Sequence, residues 1–220
     1  MNWQIFRLFP WIDTRANFVA QAPRSGTLLD LGSSDGETLN HVAELRPDLK
    51  LFAVDVAGSP ERYSPQCEFF RANLERDRLP WRDASIDAIT CMHLIEHLPN
   101  LSVLLGEGRR LLRPGGKIYF ETPHPRSLAL SSPSGSLLGA FTLNFYDDPT
   151  HLCVVSLGRL AIQARLAGLE VLASGISRNW LFFASYPIFA LLRPSRRKYT
   201  ALAHWIGWSA YLIARRPREV

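Results

Sequence analysis

Short apolar runs alternate with segments of helical length through the first 125 residues, and that order is what a parallel sheet covered by helices requires. Runs over 27–31, 50–54, 67–71, 86–92 and 117–121 read as strands, each closed by polar residues, Gly or Pro. A helix is expected to open after Gly36 and to stop before Pro47, because Pro disfavours a helical predecessor. Another spans 101–112 and ends at Arg113-Pro114-Gly115-Gly116. Beyond residue 150 a helix over 156–167 and strands over 169–174 and 209–214 follow. The class is α/β.

The chain has 220 residues, enough for one well-buried core, so a single domain over 1–220 is expected. Within it, residues 1–25 read as an N-terminal cover that contains Trp3, Phe6, Phe9 and Trp11. Residues 127–150 are rich in Ser, Gly and Pro before an aromatic patch, as in a lid-like loop. Residues 176–207 form an apolar and basic insertion before the last strand. Cys67, Cys91 and Cys153 lack paired spacing, which suggests neither a disulfide framework nor a zinc cluster and fits a reducing cytoplasm. The first ten residues have no signal-peptide pattern, and no run reaches the roughly 18–20 apolar residues that span a bilayer. Residues 193–220 carry seven Lys or Arg against one Glu, so the formal charge of +5 is concentrated at that end. A nucleic-acid surface spread over the whole domain is not expected from this distribution.

The chemistry starts at Leu28-Leu29-Asp30-Leu31-Gly32-Ser33-Ser34-Asp35-Gly36-Glu37, an apolar strand followed by a small-residue turn that opens a helix. Small residues let a ligand approach the backbone, and free N–H groups at a helix start favour electron-rich atoms. Nineteen residues after Gly36, Asp55 ends the next strand, where a carboxylate can accept from both ribose hydroxyls. Together these indicate an adenosine cofactor. A dinucleotide G-x-G-x-x-G pattern would need glycine at Ser34 and Glu37, and both positions fail it.

Asp30, Gly32 and Gly36 instead resemble the first motif of the class I S-adenosylmethionine-dependent methyltransferases, with Ser34 in place of its middle glycine. The resemblance continues through Asn73-Leu74-Glu75, Leu79 to Asp87, Cys91-Met92-His93-Leu94-Ile95-Glu96-His97-Leu98 and Leu111 to Ile118. Asp148-Pro149-Thr150-His151 with 160–171 resembles small bacterial members that modify glycans, lipids or quinones. The resemblance implies a Rossmann-like, doubly wound, mostly parallel seven-stranded sheet with an antiparallel last strand and helices on both faces. It implies S-adenosylmethionine as cofactor and S-adenosylhomocysteine as product. The cofactor would lie against Asp30, Gly32, Ser33, Ser34, Gly36, Asp55, Val56, Asn73, Leu74, Met92 and His93. Asn73 would meet the adenine amino group through its side-chain carbonyl.

For the acceptor, His97, His124, His151 and Tyr146 are the candidates, since a near-neutral histidine is the usual base for a hydroxyl that must lose its proton. Their spacing matches no recognised metal motif, so no metal is expected. The expected reaction is methyl transfer, on oxygen, to a small-molecule, glycan or lipid-linked acceptor. Neither the Asn-Pro-Pro-aromatic run nor the Pro-Cys motif of nucleic-acid methyltransferases occurs; an RNA enzyme and a non-catalytic cofactor-binding accessory protein are the rivals. Residues 181–192 are an apolar run with Trp180 ahead and Arg193, Arg196, Arg197 and Lys198 behind. Core packing between the last two strands is the first expectation for it, and peripheral membrane contact through 180–198 the second.

Overall fold

A computed structural model describes residues 3–131 and 143–218. Seven strands form one sheet: β1 (Thr27–Leu31), β2 (Lys50–Asp55), β3 (Cys67–Arg71), β4 (Ile86–Met92), β5 (Leu112–Pro123), β6 (Glu170–Ser177) and β7 (Ser209–Arg215). Their spatial order is β3-β2-β1-β4-β5-β7-β6. The first five strands pair in parallel, and β7 runs antiparallel to both β5 and β6. The α/β class and the antiparallel last strand are therefore as expected.

Alternation of side chains sorts the core onto two faces. Leu28 joins Leu39, Val42, Leu51 and Phe18 on one side, while Leu29 joins Ile89, Leu104 and Ile118 on the other. The inner strands are buried on both faces, which is why Leu28-Leu29 and Leu51-Phe52-Ala53-Val54 are continuous apolar runs. Four helices cover this sheet: α1 (Thr14–Ala20), α2 (Glu37–Leu45), α3 (Ser102–Leu111) and α4 (Leu157–Leu166). Each of α2 and α3 turns one apolar stripe inward, Leu39, Val42 and Leu45 in the first and Leu104, Leu105 and Leu111 in the second. The chain builds outward from β1 to β3 and then crosses back to β4, so a crevice opens at the carboxyl ends of β1 and β4.

Two regions depart from the sequence reading. Strand β5 starts at Leu112, because Leu112 pairs with Ile86 ahead of a register shift, so Arg113-Pro114-Gly115-Gly116 lies within the strand. The apolar run 181–192 is not core: it falls largely in α5 (Trp180–Ala190), which has no buried residue. A helix that is apolar all round cannot turn every side to the sheet. It packs instead on α6 (Arg196–Ile206), through Phe182 on His204 and Phe183 on Trp205.

At the N-terminus, 3-10 turns over Trp3–Arg7 and Pro10–Ile12 lead into α1. Asp13 caps that helix by accepting from the N–H groups of Arg15 and Ala16, and it pairs as an isolated bridge with Asn179. Phe6 is buried in the second core cluster, whereas Phe9 and Trp11 are exposed. In the lid-like segment, 3-10 turns occupy Pro125–Ala129 and Phe145–Asp147, and residues 132–142, which include Phe141 of the expected aromatic patch, lie outside the described residues.

Candidate functional site

The turn after β1 is shaped by backbone. Gly32, Ser34 and Gly36 have φ of 77°, 50° and 80°. An added Cβ on Gly32 would lie 3.0 Å from Leu94, and one on Gly36 would lie 2.8 Å from the Tyr63 ring. Ser34 adopts the same left-handed region with a side chain attached, a conformation that costs an L-residue roughly 1–2 kcal/mol. Tyr63 holds the turn from beside it, with its hydroxyl 2.7 Å from Ser33 Oγ and donating to the Ser34 carbonyl at 3.1 Å.

Under the turn, Asp30 is buried and accepts from Thr90 Oγ1 at 2.6 Å, linking β1 to β4. Burial outweighs that hydrogen bond and pushes the Asp30 pKa up to about 7. At the end of β2, Asp55 Oδ2 accepts from Ser34 N–H at 2.8 Å and Oδ1 from Ala57 N–H at 2.9 Å. A carboxylate has about four lone-pair sites, so two remain for the paired hydroxyls of a ribose. The residues present therefore fit an adenosine cofactor. Val56 is exposed beside Asp55, while Leu74 packs in the core. Asn73 Oδ1 already accepts from Glu75 N–H at 2.9 Å, which fixes that side chain in the turn after β3.

Across the crevice the site is made of side chains. Met92 packs partly buried against the second core cluster, and the chain then turns left-handed at His93, φ 52°. This directs the His93 imidazole between two fully buried carboxylates, with Nδ1 at 3.3 Å from Glu96 Oε1 and Nε2 at 3.3 Å from Glu121 Oε1. Burial opposes a charge on His93, but the hydrogen bonds and charges of Glu121 and Glu96 prevail and raise its pKa to about 9. Glu121 also accepts from both arms of Arg15, from Tyr119 Oη at 2.6 Å and from Ser177 Oγ at 2.9 Å. Burial works against its ionised form; Arg15 and His93 overcome this and hold Glu121 well below the usual carboxylate range.

Next to this array, His97 and His151 lie with ring centroids 4.7 Å apart. His97 Nδ1 is 2.9 Å from Thr150 Oγ1, and Thr150 Oγ1 donates to Asp148 at 2.5 Å. His151 Nδ1 donates to the Phe145 carbonyl at 2.6 Å while its ring rests on the Phe145 ring. That leaves His151 Nε2 4.0 Å from Glu96 Oε1 and 3.9 Å from Asp148 Oδ2. Glu96, His97 and His151 each offer a ligand atom, and the three atoms lie within 4.8 Å of one another. Separation in sequence hid this convergence.

His124 and Tyr146 are not part of that convergence. His124 caps a 3-10 turn by accepting from Arg126 N–H, and burial, with Arg126 nearby, lowers its pKa. Tyr146 is 71% exposed. The sequence reading missed Arg15, Glu121 and Ser177. Glu121 carried one signal, an acid ending an apolar strand just as Asp55 does; Arg15 and Ser177 carried none.

Residues 4–174 match the model of a family described as a methyltransferase domain. A protein encoded in a transposon of Streptomyces fradiae is 29% identical over 150 residues, 63% of this chain and 43% of that protein. A ubiquinone biosynthesis O-methyltransferase of Ralstonia nicotianae is 34% identical over 89 residues, 39% of this chain and 36% of that enzyme. The chain thus spans less than half the length of these two relatives. An S-adenosylmethionine-dependent methyltransferase from Mesorhizobium loti superposes with a TM-score of 0.63 at 16% identity, covering 91% of this chain and 96% of that one.

Proposed function

Because the chain belongs to the S-adenosylmethionine-dependent methyltransferase family, we propose that it methylates a hydroxyl of a small-molecule acceptor bound at the carboxyl ends of β4 and β5. When bound, the cofactor supplies an activated methyl group on a sulfonium, so little covalent help is asked of the protein. Asp55 would accept from the ribose hydroxyls, and the turn at Gly32 and Gly36 would admit the cofactor close to the backbone. The observation that carries the oxygen acceptor is the pairing of His97 with His151 at 4.7 Å beside buried Glu96. Thr150 engages one nitrogen of His97 and leaves the other for proton transfer. The name of the Ralstonia relative, a ubiquinone biosynthesis O-methyltransferase, supports the same reading of methyl transfer to oxygen.

Calorimetric titration with S-adenosylhomocysteine, against NAD and with Asp55→Ala beside it, tests the cofactor half. Saturable heat that NAD does not reproduce and that Asp55→Ala weakens supports it; no heat in the wild type overturns it. For the acceptor half, His97→Ala and His151→Ala are assayed with a panel of catechols and hydroxybenzoates. Loss of a base lowers kcat by about 10² to 10⁴ with cofactor affinity unchanged. If neither variant changes kcat, the base reading fails.

The clustering of Glu96, His97 and His151 favours a second reading, in which these three hold a divalent cation that polarises the acceptor oxygen. Turnover that is lost on treatment with EDTA and restored by Mg²⁺ or Zn²⁺ selects it over the histidine base.

A further inference from the structure

The insertion between β6 and β7 leaves an apolar surface beside the acceptor edge. Strands β5 and β6 point the same way, since both are antiparallel to β7, so Ser177 ends β6 on the edge where Pro123 ends β5. Helices α5 and α6 leave from that edge. Two residues before the chain bridges Asp13 to Asn179, Trp11 is 63% exposed, and Trp180, one residue after Asn179, is also exposed. At the far end of the hairpin Ile188 and Leu191 are 68% and 88% exposed.

An apolar helix of this kind belongs in a core or in lipid. It is not in the core, and no helix among the described residues is long and apolar enough to cross a membrane. The charge distribution indicates what covers it. Residues 171–218 contain no Asp or Glu, and Arg193, Arg196 and Arg197 are exposed where α5 turns into α6. Lys198 is committed to the hairpin, donating to the carbonyls of Ala190 and Leu192, so the three arginines are the outward charges of the turn. Apolar side chains with guanidinium groups at their rim match the interface of an anionic bilayer, where acyl chains and phosphates lie at adjacent depths.

We infer that the α5–α6 hairpin, joined by Trp11, is a docking surface for an anionic lipid bilayer and holds the acceptor edge at the lipid interface. This goes beyond methyl transfer and does not depend on it. The contact is peripheral and strongest at low salt, because counterions screen the arginines over about 10 Å at 0.1 M.

Flotation with phosphatidylcholine vesicles, with and without 30% phosphatidylglycerol, tests the inference on the full chain. Binding is expected only with phosphatidylglycerol and is expected to weaken at high salt. Arg193→Gln, Arg196→Gln and Arg197→Gln combined should weaken it about 10²-fold, from the usual contribution of each basic residue near such a surface. Ile188→Ser with Leu191→Ser should weaken it as well. A parallel titration with S-adenosylhomocysteine shows whether each variant keeps the wild-type affinity and so is folded; failure of that titration in the wild type would sink the methyl-transfer reading and leave vesicle binding still measurable. The inference is overturned if the wild type ignores anionic vesicles or if folded variants bind them undiminished. Sedimentation showing a dimer that Ile188→Ser with Leu191→Ser dissolves, with no vesicle binding, would assign the surface to a second copy of the chain instead.

Discussion

The two sides of the crevice are built from different materials. Between β1 and β2 the site is largely backbone: left-handed turns at Gly32, Ser34 and Gly36, and the Asp55 carboxylate bonded to main-chain N–H groups. Between β4 and β5 it is side chain: Arg15, Glu121, His93 and Glu96 form a continuous line of alternating charge in which the two carboxylates are fully buried and the two cations half-buried. A site made of backbone fails when atoms are added to it. A site made of paired charges fails when atoms are removed. The β1–β2 side, proposed here for the cofactor, is thus fixed by what is absent, and the β4–β5 side by what must stay complete.

The strongest way to break this comparison is Glu121→Ala. It leaves Arg15 and His93 without their shared partner; removing one member of a fully buried pair costs about 3–5 kcal/mol, and the partial exposure of Arg15 and His93 puts the loss at the lower end of that range. Urea unfolding measures the loss, with Glu121→Gln, which keeps the shape and loses the charge, as the milder variant. A change below about 1 kcal/mol would mean that water already solvates the array.

A smaller effect comes from pH. The folded pKa of His93, about 9, exceeds its ordinary 6.5, so its stabilising contribution is complete below about 6.5 and is lost as pH rises through 9. The shift corresponds to about 3 kcal/mol at most. Unfolding free energies from pH 6 to 10 for wild type and His93→Gln should converge at the alkaline end. Parallel curves would show that the fold leaves the His93 pKa at its ordinary value.

The same contrast explains what could be read before the fold was known. Asp30, Gly32, Gly36 and Asp55 are joined by one strand-turn-helix-strand unit, so their spacing in sequence reflects their spacing in space. The inner strands were legible for a similar reason, since burial on both faces writes continuous apolar runs. Arg15 meets Glu121, and His97 meets Thr150, only because separate elements converge at one sheet edge, and no local pattern records that. The exposed hairpin misled in the opposite sense: α5 is as apolar as a core helix, and composition does not distinguish a helix covered by protein from one left uncovered.

The smallest expected effects sharpen the backbone side. At Gly36, φ of 80° makes any side chain cost roughly 1–2 kcal/mol, and a Cβ 2.8 Å from Tyr63 must also push aside the ring that holds Ser33 and Ser34. Gly36→Ala should therefore both destabilise the fold and weaken S-adenosylhomocysteine binding. Ser34→Gly removes atoms from the same turn and should do neither. It relieves a left-handed serine but adds freedom to the unfolded chain, and these terms are of similar size, so stability should stay within about 1 kcal/mol. Thermal unfolding and calorimetry on the pair separate geometry from chemistry at this turn. A tenfold loss of affinity in Ser34→Gly would mean that the serine hydroxyl itself holds the cofactor, and the cofactor side would then no longer be a site largely of backbone.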